Sequence, residues 1–196
     1  MLAEAYPDLE PRFVEEQTQH LITRLRNGNL DLAIMALPSE ATGMVDSPLY
    51  TEKFSIVCPP DHPIAGREDV ELAELKDLDL LLLDDGHCLR DQVVDLCRHA
   101  DINPAEATNS VTRASSLTTI MQLVMGGLGC TLVPESALAT ECHGKDVAIA
   151  HFASDVTAER EVGLVFRSSA ARAEEFREFG TLITAACNKA IERSRQ

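Results

Sequence analysis

One stretch of the chain, NGNLDLAIMAL at residues 27–37, decides the fold class. Apolar residues stand at helical spacing upstream of it, so we predict a helix over residues 12–26 that is ended by Gly28, a favoured C-terminal cap. Residues 30–37 then predict a buried strand, which Pro38 ends. A helix that leads directly into a buried strand is typical of layered α/β proteins.

The alternation of helices and strands continues to the end of the chain. We predict further strands at residues 54–58, 80–83, 130–133, 147–152 and 162–166. We predict further helices at residues 71–75, from just after Gly86 to about His99, and at 115–125 and 170–191. Two polar connectors, at residues 48–53 and 152–161, are the natural crossover points for a chain that passes twice between two subdomains.

The composition of the chain argues against nucleic acid and membrane as direct partners. The formal net charge is −15, and so acidic a surface repels phosphate backbones. No apolar run is long enough to span a bilayer. The N-terminal segment carries Glu4, Asp8 and Glu10, which a secretory signal would not. We therefore expect a cytoplasmic protein with no membrane contact.

The cysteine pattern does not indicate a metal site or a structural disulfide framework. No two of the six cysteines form a C-x-x-C motif or show the ligand spacing of a zinc finger, so we expect neither a metal nor a cofactor. Cys58 and Cys130 fall in predicted buried strands and Cys187 in the last predicted helix, where thiols usually serve packing. Cys142 lies in a predicted loop and is a further candidate for reactivity.

The segment DDGHCLRDQ at residues 84–92 carries a candidate reactive thiol. Cys88 follows a buried strand and a glycine turn, at the predicted start of a helix. The unpaired backbone N–H groups of a helix start favour an anion, and Arg90 lies within the same turn. Both effects stabilise a thiolate, which is the form of cysteine that reacts with oxidants.

A second cysteine, Cys97, follows Cys88 by nine positions. On one straight helix the two Cα atoms stand about 13 Å apart, whereas a disulfide needs them within roughly 7 Å. A Cys88–Cys97 disulfide therefore requires the helix to unwind or bend, which would couple oxidation to local refolding. The alternative is that both thiols are packing residues, since free cysteine is among the most buried residue types.

The chain resembles the LysR-type transcription regulators along essentially its whole length. The resemblance rests on the strand entry at residues 27–34, on the segments Pro48-Leu49-Tyr50 and Asp61-His62-Pro63, and on GGLGCTLVP at residues 126–134. The motif GHCLRDQ at residues 86–92, with the second cysteine at Cys97, is similar to the signature of the peroxide-sensing members of that family.

The resemblance implies roles for individual residues. Cys88 would be the peroxide-reactive thiol and Cys97 the resolving one, so that hydrogen peroxide is the expected ligand and a cellular thiol the expected reductant. The residues that would line the peroxide pocket with Arg90 are Thr18, His87, Asp91 and Arg160. Each also has a purely structural explanation. Thr18 would be a hydroxyl in a helical turn and His87 a histidine with no special role. Asp91 would be an acid favoured by the helix dipole, and Arg160 a surface charge.

The resemblance also implies a fold and an assembly. The fold would be that of a periplasmic-binding-protein-like (type II) LysR effector domain, an α/β architecture of two Rossmann-like subdomains joined by two crossovers. Residues 1–50 with 157–196 would form subdomain I, without its first strand, and residues 51–156 would form subdomain II with both redox cysteines. The family forms homodimers, and tetramers at full length, and contacts DNA through a helix-turn-helix domain that this chain lacks.

Three other functions remain open at this level. A LysR-type domain that binds a small organic effector would use its cysteines only for packing. A thiol peroxidase would turn over many equivalents of peroxide, whereas a sensor reacts stoichiometrically and is not an enzyme. A solute-binding protein would share the fold, but it would be expected to carry a signal peptide.

Overall fold

The computed structural model describes residues 2–103 and 108–194. The chain divides into two compact units. Unit 1 is built on Met1–Thr51 and Glu161–Ala190, and unit 2 on Glu52–Arg160 and Ile191–Gln196. The chain passes between the units within two strands, β2 (Met44–Cys58) and β7 (Glu159–Arg167).

Unit 1 packs helices against a small sheet. Its elements are α1 (Leu2–Ala5), α2 (Thr18–Arg26), β1 (Leu32–Leu37), the first part of β2, most of β7, and α6 (Ala173–Ser194). The β1 strand pairs antiparallel with β7, which is followed by β2 in the strand order. Buried side chains of α2 and the sheet form one core cluster, and Leu164, Phe166 and Phe176 form a second.

The predicted helix over residues 12–26 is wrong in its first half, because α2 begins only at Thr18. Gln17 has extended backbone angles, φ −61° and ψ 148°, and residues 11–17 are not helical. Phe13 is 79% exposed, so its helical spacing reflects no buried face. The end of the helix is confirmed: Asn27 caps it, and Gly28 follows with a φ of +74°.

Unit 2 contains the larger core. Its elements are the second part of β2, a 3-10 helix (Leu72–Asp77), β3 (Leu80–Leu83), α3 (Cys88–His99), β4 (Thr108–Ala114), α4 (Leu117–Met125), β5 (Thr131–Pro134), α5 (Glu135–Glu141) and β6 (Ala148–His151). The β2 strand pairs antiparallel with β5 and with β6, and β3 pairs parallel with β4. The predicted strand over 80–83 and the helix starting just after Gly86 are both confirmed.

Three local structures differ from the sequence prediction for physical reasons. Residues 48–53, predicted as a polar connector, belong to the continuous strand β2, whose first part is held by pairing rather than by burial. The β4 strand was not predicted because its sequence, TNSVTRA, lacks an apolar alternation. The α5 helix was not predicted because it has only 7 residues and begins directly after Pro134.

Within the described residues, none of the helices combines the length and apolar character that a membrane crossing requires.

Gly129 provides a test of the packing between β3 and the start of β5. A Cβ atom at Gly129 would overlap the Asp79 carbonyl oxygen, and the residue has a φ of +147°. We expect Gly129→Ala to lower the free energy of unfolding by more than about 2 kcal/mol, since a backbone oxygen yields less readily than a side chain. Equilibrium unfolding in urea measures this.

Gly28→Ala is the matched control for that substitution. Gly28 also has a positive φ, +74°, but no atom lies within 4 Å of the position that a Cβ atom would take there. We expect a loss of about 1 kcal/mol from backbone strain alone. Equal losses in the two variants would contradict the close approach of Asp79.

Candidate functional site

The predicted reactive cysteine lies at the first residue of α3. The connection from β3 runs through Asp84, whose N–H donates to the Ala114 carbonyl at 2.9 Å, and through Gly86, which has a φ of +93°. His87 is the N-cap residue of α3, with extended backbone angles and no side-chain capping hydrogen bond. Cys88 is half-buried and has a free thiol. The predicted placement at a helix start is therefore confirmed.

Arg90 is held by carboxylates near the start of α3. Its Nη2 lies 2.8 Å from Asp85 Oδ1 and its Nη1 lies 3.5 Å from Asp91 Oδ1. Asp91 is in the first turn, where a negative charge is favoured by the helix dipole. Because these acids offset the guanidinium charge, the proposed effect of Arg90 on the Cys88 thiolate stays a prediction.

The Cys97 thiol is buried on the core face of the same helix. Val93, Val94, Leu96 and Cys97 are the buried residues of α3, and all four belong to the larger core cluster of unit 2. Burial raises the pKa of the Cys97 thiol, so the thiol is kept protonated and weakly nucleophilic while the helix is folded. The two free thiols lie nine positions apart on an unbroken helix, a Cα separation of about 13 Å.

Arg160 forms a buried ion pair with Glu52. The Arg160 Nε and Nη2 atoms lie 2.8 Å and 2.7 Å from Glu52 Oε1, and the Glu52 side chain has 0% exposure. The other carboxylate oxygen, Oε2, accepts the backbone N–H of Ser136 at 2.9 Å. The Arg160 guanidinium also lies over the Phe54 ring, 5.9 Å from its centroid. Four interactions thus fix this pair between β2, β7 and the start of α5.

Arg160 also reaches the redox helix. Its Nη1 donates to Gln92 Oε1 at 3.4 Å. Gln92 follows Cys88 by four positions on α3, and residues spaced by four are neighbours on one helix face. The structure therefore directs Arg160 to the face of α3 on which Cys88 lies.

Sequence reasoning missed both partners of Arg160. Glu52 lies in the sequence Thr51-Glu52-Lys53, which is typical of a solvated connector, and no local pattern distinguishes a buried acid there. Gln92 belongs to the quoted cysteine motif, but its helical spacing of four from Cys88 was the one signal that could have assigned it to the site.

The remaining predicted pocket residues lie on or next to α2 and α3. His87 is half-buried before Cys88, and the Asp91 carboxylate is 64% exposed. Thr18 is the first residue of α2 and belongs to unit 1, whereas the other pocket residues belong to unit 2. Their roles toward peroxide stay predictions.

The other cysteines differ in how their surroundings affect reactivity. Cys58 and Cys130 are fully buried, and burial raises the pKa of Cys130 to about 12. Cys142, the further candidate for reactivity, caps the end of α5, and burial raises its pKa to about 11. At neutral pH the Cys130 and Cys142 thiols are protonated, which disfavours a role as the reactive cysteine. Within the described ranges, no three His, Cys, Asp or Glu side chains gather as metal ligands.

Comparison with known proteins identifies the family. The family model of the LysR substrate binding domain matches residues 1–188. The chain belongs to this family. The predicted membership is therefore confirmed, and with it the type II periplasmic-binding-protein-like α/β fold.

Relatives from several bacteria are similar to this chain in sequence. A probable hydrogen peroxide-inducible genes activator from Mycobacterium avium is 47% identical over 182 residues, which cover 93% of this chain and 57% of the relative. The transcriptional dual regulator OxyR of Escherichia coli is 35% identical and is covered to 59%. The chain thus spans little more than half the length of these curated relatives.

Solved OxyR structures share the fold. A hydrogen peroxide-bound cysteine-to-serine variant of Corynebacterium glutamicum OxyR is 59% identical, with a TM-score of 0.96 over 99% of this chain and 60% of that one. The oxidised form of the same protein is also 59% identical and gives a TM-score of 0.86, with the same coverage of both chains. A crystal structure of the reduced form of OxyR is 33% identical, with a TM-score of 0.80 over 94% of this chain and 84% of that one.

The buried ion pair of Arg160 and Glu52 generates a stability prediction. We expect Arg160→Met to lower the free energy of unfolding by about 3–5 kcal/mol, because it leaves the Glu52 carboxylate buried without a counter-charge. The double variant Glu52→Gln/Arg160→Met should recover much of this loss, since no uncompensated charge remains. Urea unfolding of the single and double variants measures the coupling.

Arg90→Met is the matched control for a surface pair. Its partner Asp85 is 68% exposed, so we expect a loss below about 1 kcal/mol. Equal losses at Arg90 and Arg160 would contradict a special energetic role for the buried pair.

Proposed function

We propose that this chain is the regulatory domain of a peroxide-sensing transcription regulator that controls oxidative-stress genes. The observation that carries the proposal is the pair of free thiols, Cys88 and Cys97, on one continuous helix that must refold before they can join. The names of the most similar relatives, which are hydrogen peroxide-inducible activators and OxyR proteins, support the same function.

The proposed chemistry uses hydrogen peroxide as a two-electron oxidant. The Cys88 thiolate attacks one peroxide oxygen, the O–O bond breaks, and the departing hydroxide takes a proton to become water. Cys88 is left as a sulfenic acid. Cys97 then attacks the Cys88 sulfur, the S–O bond breaks, and a second water leaves as the disulfide forms. A cellular thiol reductant resets the domain, so that the reaction is stoichiometric rather than catalytic.

The proposed peroxide pocket lies at the start of α3. Arg160, which donates to Gln92 one turn from Cys88, supplies hydrogen bonds to the departing oxygen as negative charge develops on it. His87 and Asp91 complete the pocket in this proposal, with Arg90 as a neighbouring charge, and Thr18 of unit 1 keeps the peroxide-binding role that the family resemblance implies for it. Glu52 keeps the Arg160 side chain in one orientation through two of its three guanidinium nitrogens.

The proposed switch follows from the burial of Cys97. The protonated Cys97 thiol becomes a nucleophile only after it leaves the core, and leaving requires α3 to unwind. Unwinding withdraws the apolar face of α3 from the core. This costs roughly 1.5–3 kcal/mol of folding free energy for each large side chain that becomes exposed. The covalent bond compensates for that loss, so the oxidised and reduced forms differ in backbone structure.

The assembly of the intact regulator is part of the same proposal. We expect a cytoplasmic homodimer, tetrameric at full length, that transmits the change in α3 to a helix-turn-helix domain outside this sequence. The net charge of −15 supports DNA contact through another domain rather than through this one. The two units described above would be the two subdomains of the effector domain.

Mass spectrometry of the reduced chain after a small molar excess of hydrogen peroxide tests the function. We expect a Cys88–Cys97 disulfide in peptide maps, and a stable Cys88 sulfenic acid in Cys97→Ser, because that variant has no resolving thiol. Cys142→Ser is the control and should oxidise like the parent chain. Free Cys88 and Cys97 at that dose would overturn the proposal and favour a domain that binds an organic effector.

Amide hydrogen exchange tests the coupling between oxidation and refolding. We expect backbone amides of α3 to lose protection when the disulfide forms, because a pair nine residues apart cannot close on an intact helix. Amides of α4 (Leu117–Met125) serve as the internal control and should exchange at unchanged rates. Full protection of α3 in the disulfide form would exclude the switch.

A further inference from the structure

Cys58 and Cys130 face each other across two paired strands. The antiparallel register of β2 and β5 places Val57 opposite Thr131 and Ile56 opposite Leu132. Continuing this register by one residue pairs Cys58, the last residue of β2, with Cys130, the residue before β5. No part of the sensing chemistry proposed above uses either thiol.

The backbone hydrogen bonds of Cys130 define the type of this pair. Its N–H donates to the Asp79 carbonyl at 2.9 Å, and its carbonyl accepts from the Leu81 N–H at 2.8 Å. Both groups therefore point toward β3 and away from β2, which makes Cys58 and Cys130 a non-hydrogen-bonded pair. In such pairs the Cα atoms stand about 4.5 Å apart, within the range of about 4.4–6.8 Å that disulfides span.

Both side chains project to the same face of the strands, and the Cys58 thiol, which donates to the Ala148 carbonyl at 3.7 Å, has only to turn from β6 toward Cys130. Cys58 and Cys130 belong to the larger core cluster of unit 2, whereas Val57 and Val133 belong to the other cluster, as alternation along a strand requires. Both cysteines are fully buried, and the proximity of Cys58 is one of the causes that raise the pKa of Cys130, after burial itself.

We propose that Cys58 and Cys130 form a second redox site of unit 2, a cross-strand dithiol that closes to a disulfide without movement of either strand. We expect this dithiol to react with small two-electron oxidants, above all peroxides. This site does not depend on the function proposed for Cys88, because its geometry is set by β2 and β5 alone.

The chemistry balances as two displacement steps. One thiol reduces the peroxide, the O–O bond breaks, and a sulfenic acid and water result. The second thiol then attacks that sulfur, and the S–O bond breaks with loss of another water. Burial keeps both thiols protonated and shields them from oxidants. We therefore expect this pair to be oxidised more slowly than Cys88 and Cys97, after prolonged exposure or transient opening of the core.

Oxidative refolding tests the geometry separately from access. The chain, and its Cys88→Ser/Cys142→Ser variant, are unfolded in urea and refolded in a buffer of reduced and oxidised glutathione. One protein thiolate displaces glutathione from its disulfide, and the second displaces the glutathione that remains attached. We expect most of the Cys58-containing tryptic peptide, residues 54–67, to be cross-linked to the Cys130-containing peptide, residues 114–145.

The Cys142→Ser change removes the other cysteine of the 114–145 peptide, so the cross-link is assigned without ambiguity. The matched control, Val57→Cys/Cys58→Ala, keeps the number of thiols but moves one to the opposite face of β2, and it should lose the cross-link. Long exposure of the never-unfolded chain to diamide should give the same cross-link more slowly. Free thiols, mixed glutathione disulfides, or an equal cross-link in the control would overturn the proposal.

Discussion

The distance between two thiols on one helix is the constraint on which the rest of this domain depends. A straight α-helix separates residues nine apart by about 13 Å, roughly twice the reach of a disulfide. Cys88 begins α3 and Cys97 lies near its end, so the folded helix prevents a disulfide between them by geometry alone. Every element that stabilises α3 therefore also opposes the formation of that disulfide.

Two kinds of interaction hold α3 in place. Its inner face, with Val93, Val94 and Leu96, packs in the core of unit 2. On the face that carries Cys88, Arg160 donates a hydrogen bond to the Gln92 side chain. The guanidinium itself is fixed by the buried carboxylate of Glu52, which the start of α5 also contacts. Packing thus sets the cost of unwinding the helix, and the polar network connects its first two turns to β2, β7 and α5.

The sequence predicts the parts of this site that depend on local patterns. Four consecutive leucines and a glycine turn predict β3 and the start of α3, and the cysteine spacing predicts the need for refolding. The pairing of Glu52 with Arg160 is not predictable, because it joins residues more than a hundred positions apart without a local signal. The same limit explains why the predicted start of α2 was wrong. Phe13 follows a helical spacing but is exposed, and a helix in a protein is stabilised mainly by the burial of one face, which spacing does not report.

The two proposed redox pairs of unit 2 differ in what secondary structure requires before a disulfide can form. Along a helix, neighbouring positions rise about 1.5 Å each, so a distant pair must break the helix to join. Across an antiparallel pair of strands, opposed residues already stand at disulfide distance, so no backbone change is required. A pair of the first kind changes structure when it is oxidised and is suited to signalling, whereas the pair at Cys58 and Cys130 would lock the existing structure. Because burial protects the second pair, we expect sustained oxidation to form the Cys58–Cys130 disulfide only after the Cys88–Cys97 disulfide has formed.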